Sequence, residues 1–377
     1  MKYFDGIVFF LSPKFLMSLV LDLGSFSIKA GLSTDEVPHE IRSVVGRSRI
    51  DPEKKPFIGN SAVALGDSVV VSHPISEGML DDFSDVELLI DFIISLTKAE
   101  GLPVVVAEPS FNSDPKREEL TELMFERFAV PELNTTMQGI LTLVGTGRVT
   151  GLVLDCGHGS CQTVPVFESY VLPHSISSLR LGGRDLDVLL AKLIALQGPS
   201  LSRTGDGETI RKIKEKMCFC RQTLDVSETV ENQQYRLPDG TDVSLAEERF
   251  IVPESYFSPS LVGAEGNGLA ELVADCVKNS PIDLTRPLVS NIILAGGSSM
   301  FEGFAQRLTA EVKNRVSAKM SREVKIVANQ DRHLSTWNGG KAFAELRDSF
   351  AERWLTREHY DEYGAHHIHS KAMYMKS

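Results

Sequence analysis

Cysteine is scarce in this sequence. Five residues among 377 (Cys156, Cys161, Cys218, Cys220 and Cys276) are too few for a disulfide framework and odd in number, which suits a reducing compartment. Neither close pair has the spacing of a CxxC zinc motif, so no metal centre is expected on these thiols. Basic charge is in deficit too. The 39 Lys and Arg against 51 Asp and Glu give a formal net charge of −12, which repels nucleic-acid backbones and anionic membrane surfaces. The densest basic run, Lys313, Arg315, Lys319, Arg322 and Lys325, is interleaved with Val312, Val316 and Met320 at helical spacing and reads as a solvated helix face. Long apolar runs are missing as well. The stretch from Ile7 to Leu11 is cut by Ser12, Pro13 and Lys14 and lacks the flanks of a signal peptide, so residues 1–16 read as an appendage that neither spans a membrane nor targets one. No Pro-, Ser- or Gly-biased tract marks a disordered linker. His366, His367 and His369 sit near the C-terminus, where a flexible end is expected to leave three imidazoles ungathered.

What remains is an ordinary globular composition, 42% hydrophobic and 24% charged. A chain of 377 residues exceeds the size at which one core keeps growing, so two domains are expected. The informative feature is an echo: LVLDLGS from Leu19 and LVLDCGH from Leu152. Each is a short continuous apolar run, as in a buried strand, ending in Asp-x-Gly, as in a tight turn. Thr163 to Phe167 and Tyr170 to Leu172 read as further strands. Ser84 with Glu87 predicts a capping box ahead of Val86, Leu89, Ile90, Ile93 and Ile94. Asp114-Pro115 predicts the start of a helix carrying Leu120, Leu123, Met124 and Phe128. Another amphipathic helix is expected from Leu269, followed by the apolar strand NIILAGG from Asn291. Strands and helices alternate through both halves, so the class is α/β, with two related halves facing a shared cleft.

A strand ending in Asp-x-Gly presents a carboxylate beside a turn whose main-chain N–H groups can approach an anion. Two such turns face to face make a clamp for a polyphosphate. Asp22 and Asp155 would repel phosphate directly, so a bridging cation is required, and Mg²⁺ with retained waters fits. Lys29, just beyond the first turn, can neutralise phosphate. Gly296 and Gly297 allow backbone approach to a base or ribose, with Phe301 available for stacking. Taken singly, either aspartate reads as a turn cap, and Gln138, between Met137 and Gly139, as a polar position on a helix.

The residues DLGSFSIKAG from Asp22, VVGR from Val44, LMFERFAVP from Leu123, MQGILTL from Met137, TGLVLDCGHG from Thr150, LGGRDL from Leu181, IKEKMC from Ile213, YRLPDG from Tyr235, NIILAGGSSMFEG from Asn291 and STWNGGKAFA from Ser335 resemble the actin family, in order and nearly in spacing, from about Met17 to Lys371. The resemblance implies a two-lobed actin-like ATPase fold of duplicated ribonuclease-H-like domains. Residues 17–145 and 334–377 would form a small lobe (43–73 peripheral), and 146–333 a large one (182–264 peripheral). It implies ATP or ADP with Mg²⁺ in the cleft. Gly24, Ser25 and Lys29 would hold phosphates on one side, with Gly157, His158 and Gly159 on the other. Asp22, Gln138 and Asp155 would hold the waters around Mg²⁺, Gln138 and Asp155 being the catalytic pair. Gly183, Lys214, Glu215, Gly296, Gly297 and Phe301 would meet the nucleoside.

The chain also departs from the family pattern. Phe26 stands where the first phosphate loop of actin has glycine, His158 where the second has an acidic residue, Gln162 where a histidine positions water, and His333 where a lysine lies near adenine. Only IDPEKKP separates VGRSR from FIG, shorter and more charged than the loop with which actin grips its neighbour, and Ser76-Glu77 follows Pro-Ile in place of the modified histidine. The expectation is an ATP-binding cytoskeletal or scaffold subunit with slow or absent hydrolysis, cytoplasmic, partnered by itself, other actin-family subunits or a multi-subunit complex, with no direct nucleic-acid or membrane partner. The alternatives are an active ATPase or small-molecule kinase of the wider superfamily, and a nuclear subunit of a chromatin-remodelling complex.

Overall fold

The computed structural model describes residues 17–51, 53–196, 206–222, 230–237, 240 and 242–373, with the backbone of the strands Lys2–Phe4 and Ile7–Phe9, which pair antiparallel. The rest of the expected appendage, 1–16, lies outside the described residues, as does part of the 182–264 segment. Two six-stranded sheets organise the chain. In the first lobe, β1 (Leu19–Leu23), β2 (Ser27–Leu32) and β3 (His39–Arg42) form an antiparallel meander, and β4 (Val104–Glu108) and β5 (Glu132–Met137) add in parallel beside β1. Helix α1 (Phe83–Thr97) buries Val86, Leu89, Ile90, Ile93 and Ile94 against that sheet. In the second lobe, β6 (Gly151–Cys156) and β7 (Cys161–Phe167) form the equivalent antiparallel hairpin, with β8 (Ile292–Ala295) parallel to β6 and β9 (Ile326–Val327) parallel to β8.

Both copies of LVL use strand alternation in the same way. Leu19, Leu21 and Leu23 face the core of the first lobe, and Leu152 and Leu154 that of the second. Val20 and Val153, pointing oppositely, enter a third core shared by both sheets. That shared core contains the helices Gln138–Gly145 and Ser335–Glu345, after which the chain returns to the first lobe and Leu355–Thr356 pairs with β5. The two helices touch through glycine. A Cβ on Gly145 would lie 2.9 Å from the Gly339 nitrogen, and one on Gly339 only 1.7 Å from the Leu141 carbonyl oxygen. Backbone therefore packs on backbone where the lobes join.

Three expectations need correction. The cap of α1 is Asp82, whose side chain accepts from the Asp85 N–H at 3.2 Å; Ser84 is already inside the helix and donates to Asp82 instead. The basic run does not share one helix face: Lys313 and Arg315 end the helix Phe304–Arg315, Lys319 lies on Ala318–Ser321, Arg322 and Lys325 follow it, and Arg315 pairs with Glu271 and Glu311. The C-terminal segment is docked: Ile368 is fully buried, and His369 Nε2 lies 2.7 Å from Glu118 on the helix Asp114–Glu122. The five cysteines are free and buried. Among the described residues, no helix is long and apolar enough to cross a membrane.

Gly339→Ala is expected to cost about 3 kcal/mol or to prevent folding, because overpacking costs ~1–3 kcal/mol even where side chains can shift, and here backbone must. Urea unfolding measures it. Gly207→Ala, in open space at the start of Asp206–Met217, is the control and should not lower the midpoint.

Candidate functional site

The β1–β2 and β6–β7 turns meet across a cavity of about 460 Å³ between the lobes. Antiparallel register sets what each turn presents. Asp22 lies opposite Lys29, and Asp155 opposite Gln162, so each acid has its cross-strand neighbour on the same face. On their other flanks the acids have Ala107 and Ala295, equivalent positions of β4 and β8. The two hairpins are thus superimposable in register and differ in charge.

Of the residues singled out from the sequence, Asp22, Gly24, Ser25, Lys29, Gln138, Asp155, Gly157, His158, Gly159, Lys214, Glu215, Gly296, Gly297 and Phe301 line this cavity. Gly183 lies just behind it, accepting from Lys214 Nζ at 2.8 Å. The Lys214 ammonium is also 2.9 Å from Asp187, so its charge is paired within the protein. The N–H groups of Gly24 and Gly157 are used inside their own turns, to Asp22 O at 3.1 Å and Ser160 O at 2.9 Å. The main-chain N–H groups of Ser25, Phe26, His158 and Gly159 have no partner among the described residues. These are the donors the two loops offer. Ser25 Oγ accepts from Gly78 N–H at 2.7 Å and keeps its proton to donate. Gly159 is essential to the close approach, since a Cβ there would sit 2.8 Å from Glu77 Cα.

Gln138 opens its helix and donates from Nε2 to Asp22 Oδ1 at 3.2 Å, so a residue readable as a polar helix position reaches the acid. Burial raises the Asp22 pKa, with Lys29 and the Gln138 hydrogen bond opposing. Burial, and next the charge of Asp22, push Asp155 up to about 6, with Lys29 offsetting part. Lys29 influences both acids without closing an ion pair to either among the described residues. Two buried acids with one lysine leave an excess of negative charge that a divalent cation would relieve. No group of three or more His, Cys, Asp or Glu side chains among the described residues is placed to hold a metal. A cation here would face two carboxylates across its waters and take further oxygens from a ligand, a donor set that fits Mg²⁺. His158 is held near 3 by burial and by the cations Lys214, Arg42 and Arg184, so it is neutral at pH 7 and adds no positive charge.

Sequence reasoning missed the surroundings of Phe26. Its ring lies 5.0 Å from that of His158, with the Arg42 guanidinium 3.9 Å and that of Arg211 4.9 Å from its centroid. No local spacing pairs residue 26 with 211; only the cation–aromatic chemistry hints at it.

A carboxyl whose folded pKa exceeds its unfolded value holds more protons in the native state, so stability falls as pH rises between the two values and stays lower above them. For Asp155 that window runs from 3.8 to about 6, or about 3 kcal/mol at most. In metal- and nucleotide-free buffer, Asp155→Asn should melt above the parent at pH above about 6.5 and close to it near pH ~4. Calorimetric melting at both pH values checks this; an Asn variant no more stable at either would place the compensation elsewhere.

A sequence-family model described as Actin matches residues 15–373. With the duplicated hairpins, the shared core and this near-complete match, the chain belongs to the actin family.

Proposed function

We propose that this protein is an actin-like ATP-binding subunit of a cytoskeletal or scaffold assembly, with ATP or ADP and Mg²⁺ held between its lobes and hydrolysis slow or absent. The observation that carries the reading is the facing pair of turns, each with unpaired N–H groups and a buried acid. In this reading Gly24, Ser25, Lys29, Gly157, His158 and Gly159 surround the phosphates. Gly183, Lys214, Glu215, Gly296, Gly297 and Phe301 shape the nucleoside end. Asp22, Asp155 and Gln138 organise the waters of the cation, which would neutralise phosphate charge. The lobes would divide at about 145 and 334, with 43–73 and 182–264 peripheral.

Turnover requires a water held in line with the terminal phosphate and a group to receive its proton. Gln138 is tied to Asp22, Gln162 opposite Asp155 has no acid–base capacity, and His158 titrates near 3. Asp155, the acid of the catalytic pair, is also needed ionised to hold the cation's waters, so binding is favoured over hydrolysis. Assembly is limited by the shortness of the connection between Val45–Ser48 and its antiparallel partner Phe57–Ile58. A contact that repeats without closing has little to grip there. The partners are other actin-family subunits, itself or a multi-subunit complex, in the cytoplasm.

Asp155→Ala should weaken Mg-ATP binding at least tenfold by calorimetry, the equivalent of about 1.4 kcal/mol; unchanged affinity would remove the acid from the cation's shell. Gln138→Ala should leave affinity within about threefold while slowing any single-turnover hydrolysis about a hundredfold. Equal rates would make Gln138 purely structural. Sedimentation with Mg-ATP should leave the protein in the supernatant, and pelleting at micromolar concentration would favour a filament.

A further inference from the structure

The cleft carries a contact between the lobes built wholly from protein groups and centred on Phe26. The ring projects from the first hairpin turn into the cavity wall. Arg42, the last residue of β3, lies over it, and its Nη1 is 2.7 Å from Glu208 Oε2. Glu208 and Arg211 belong to the helix Asp206–Met217, whose Ile210, Ile213 and Met217 are buried in the core of the second lobe. Arg211 also faces the Phe26 ring, pairs with the same Glu208 carboxylate, and is held by Glu215 at 2.7 Å. His158, from the second hairpin, completes the enclosure at 5.0 Å. One aromatic ring from the first lobe thus meets a guanidinium and an imidazole from the second, while a carboxylate of the second lobe bridges a guanidinium of each.

The groups reinforce one another. Glu208 fixes both guanidinium groups over the ring, and the ring covers their apolar faces, so the cation–aromatic contacts cost little added ordering. The Arg42, Glu208 and Arg211 side chains are 21%, 29% and 19% exposed, so the network is partly shielded yet still within reach of screening by salt. His158, neutral at pH 7, can lie against the ring without adding a third positive charge to the two guanidinium groups.

We propose that Phe26, Arg42, Glu208 and Arg211 form a latch across the cleft mouth, closing the lobes with protein contacts and setting how fast a nucleotide leaves. This rests on the reading of the cleft as a nucleotide site. Phe26, Arg211 and Glu215 line the cavity, so the closed latch is one of its walls and release requires it to open. The bound nucleotide then behaves as a retained structural cofactor, exchanged when a partner or high salt parts Arg42 from Glu208.

The test is the release rate of a fluorescent adenosine diphosphate analogue, chased with excess ADP, from the full chain and from Arg42→Met, which keeps side-chain length and removes the charge. Release is expected to accelerate about tenfold in the variant. At about 1 M salt, where the screening length falls to about 3 Å, the parent should approach the variant and the variant should barely change. Phe26→Leu, with matched melting temperature, should accelerate release and lower the further effect of Arg42→Met. Rates within twofold of the parent in both variants would overturn the latch. If the parent takes up no nucleotide, the proposed function fails separately, and X-ray scattering decides the latch: Arg42→Met must then be measurably more open than the parent, and equal radii would overturn it.

Discussion

The structure depends on the opposition of two buried carboxylates. Asp22 and Asp155 lie at the ends of equivalent strands of two sheets; burial raises the cost of ionising both, and the charge of Asp22 raises that of Asp155 further, with one lysine in reach of both. Uncompensated buried charge is unfavourable enough that a fold keeps it only where something else supplies the compensation. The surrounding architecture maintains the opposition: alanines flank the acids, glycine-containing turns follow them, and a shared core fixes the separation of the sheets.

The back and front of the cleft are built from different physics. At the back, Gly145 and Gly339 bring two helix backbones into contact, and such packing has no side chain to adjust. At the front, Arg42, Glu208, Arg211 and Phe26 meet through long side chains and charge, which part readily and respond to salt. If the proposed latch opens, a rigid join at the back would confine the movement of the lobes to the latch side.

Much of this was legible in the sequence because its signals are local. The LVLD echo fixed both hairpins, since a continuous apolar run before Asp-x-Gly suits strands buried on both faces, and Lys29 was readable from its place beyond the turn. Whole-length resemblance brought in Gln138, Lys214 and Glu215, whose positions no local pattern connects. The latch stayed hidden because Arg42 and Glu208 stand 166 residues apart and their contact depends on the angle between the lobes. The docked tail was hidden likewise, since His369 finds Glu118 across 251 residues. The misplaced cap of α1 had a local cause: Asp82, Ser84 and Asp85 all offer cap chemistry within four positions, and the entry of the chain decides among them.

The duplication is geometric and its chemistry is one-sided. At the same register the first hairpin carries Lys29 and the second carries Gln162; where the first loop has Ser25 and Phe26, the second has the neutral imidazole of His158 and Gly159. At the hairpins themselves fixed positive charge comes from the first lobe, through Lys29, whereas the second lobe brings its cations Arg211 and Lys214 to the cavity from a helix. In the nucleotide-site reading proposed above, such a site would gain affinity from a cation without gaining a base, because the acid that could take a proton from water is one the cation needs ionised. Binding energy would then go into holding the lobes in one arrangement, as a subunit recognised by its shape requires.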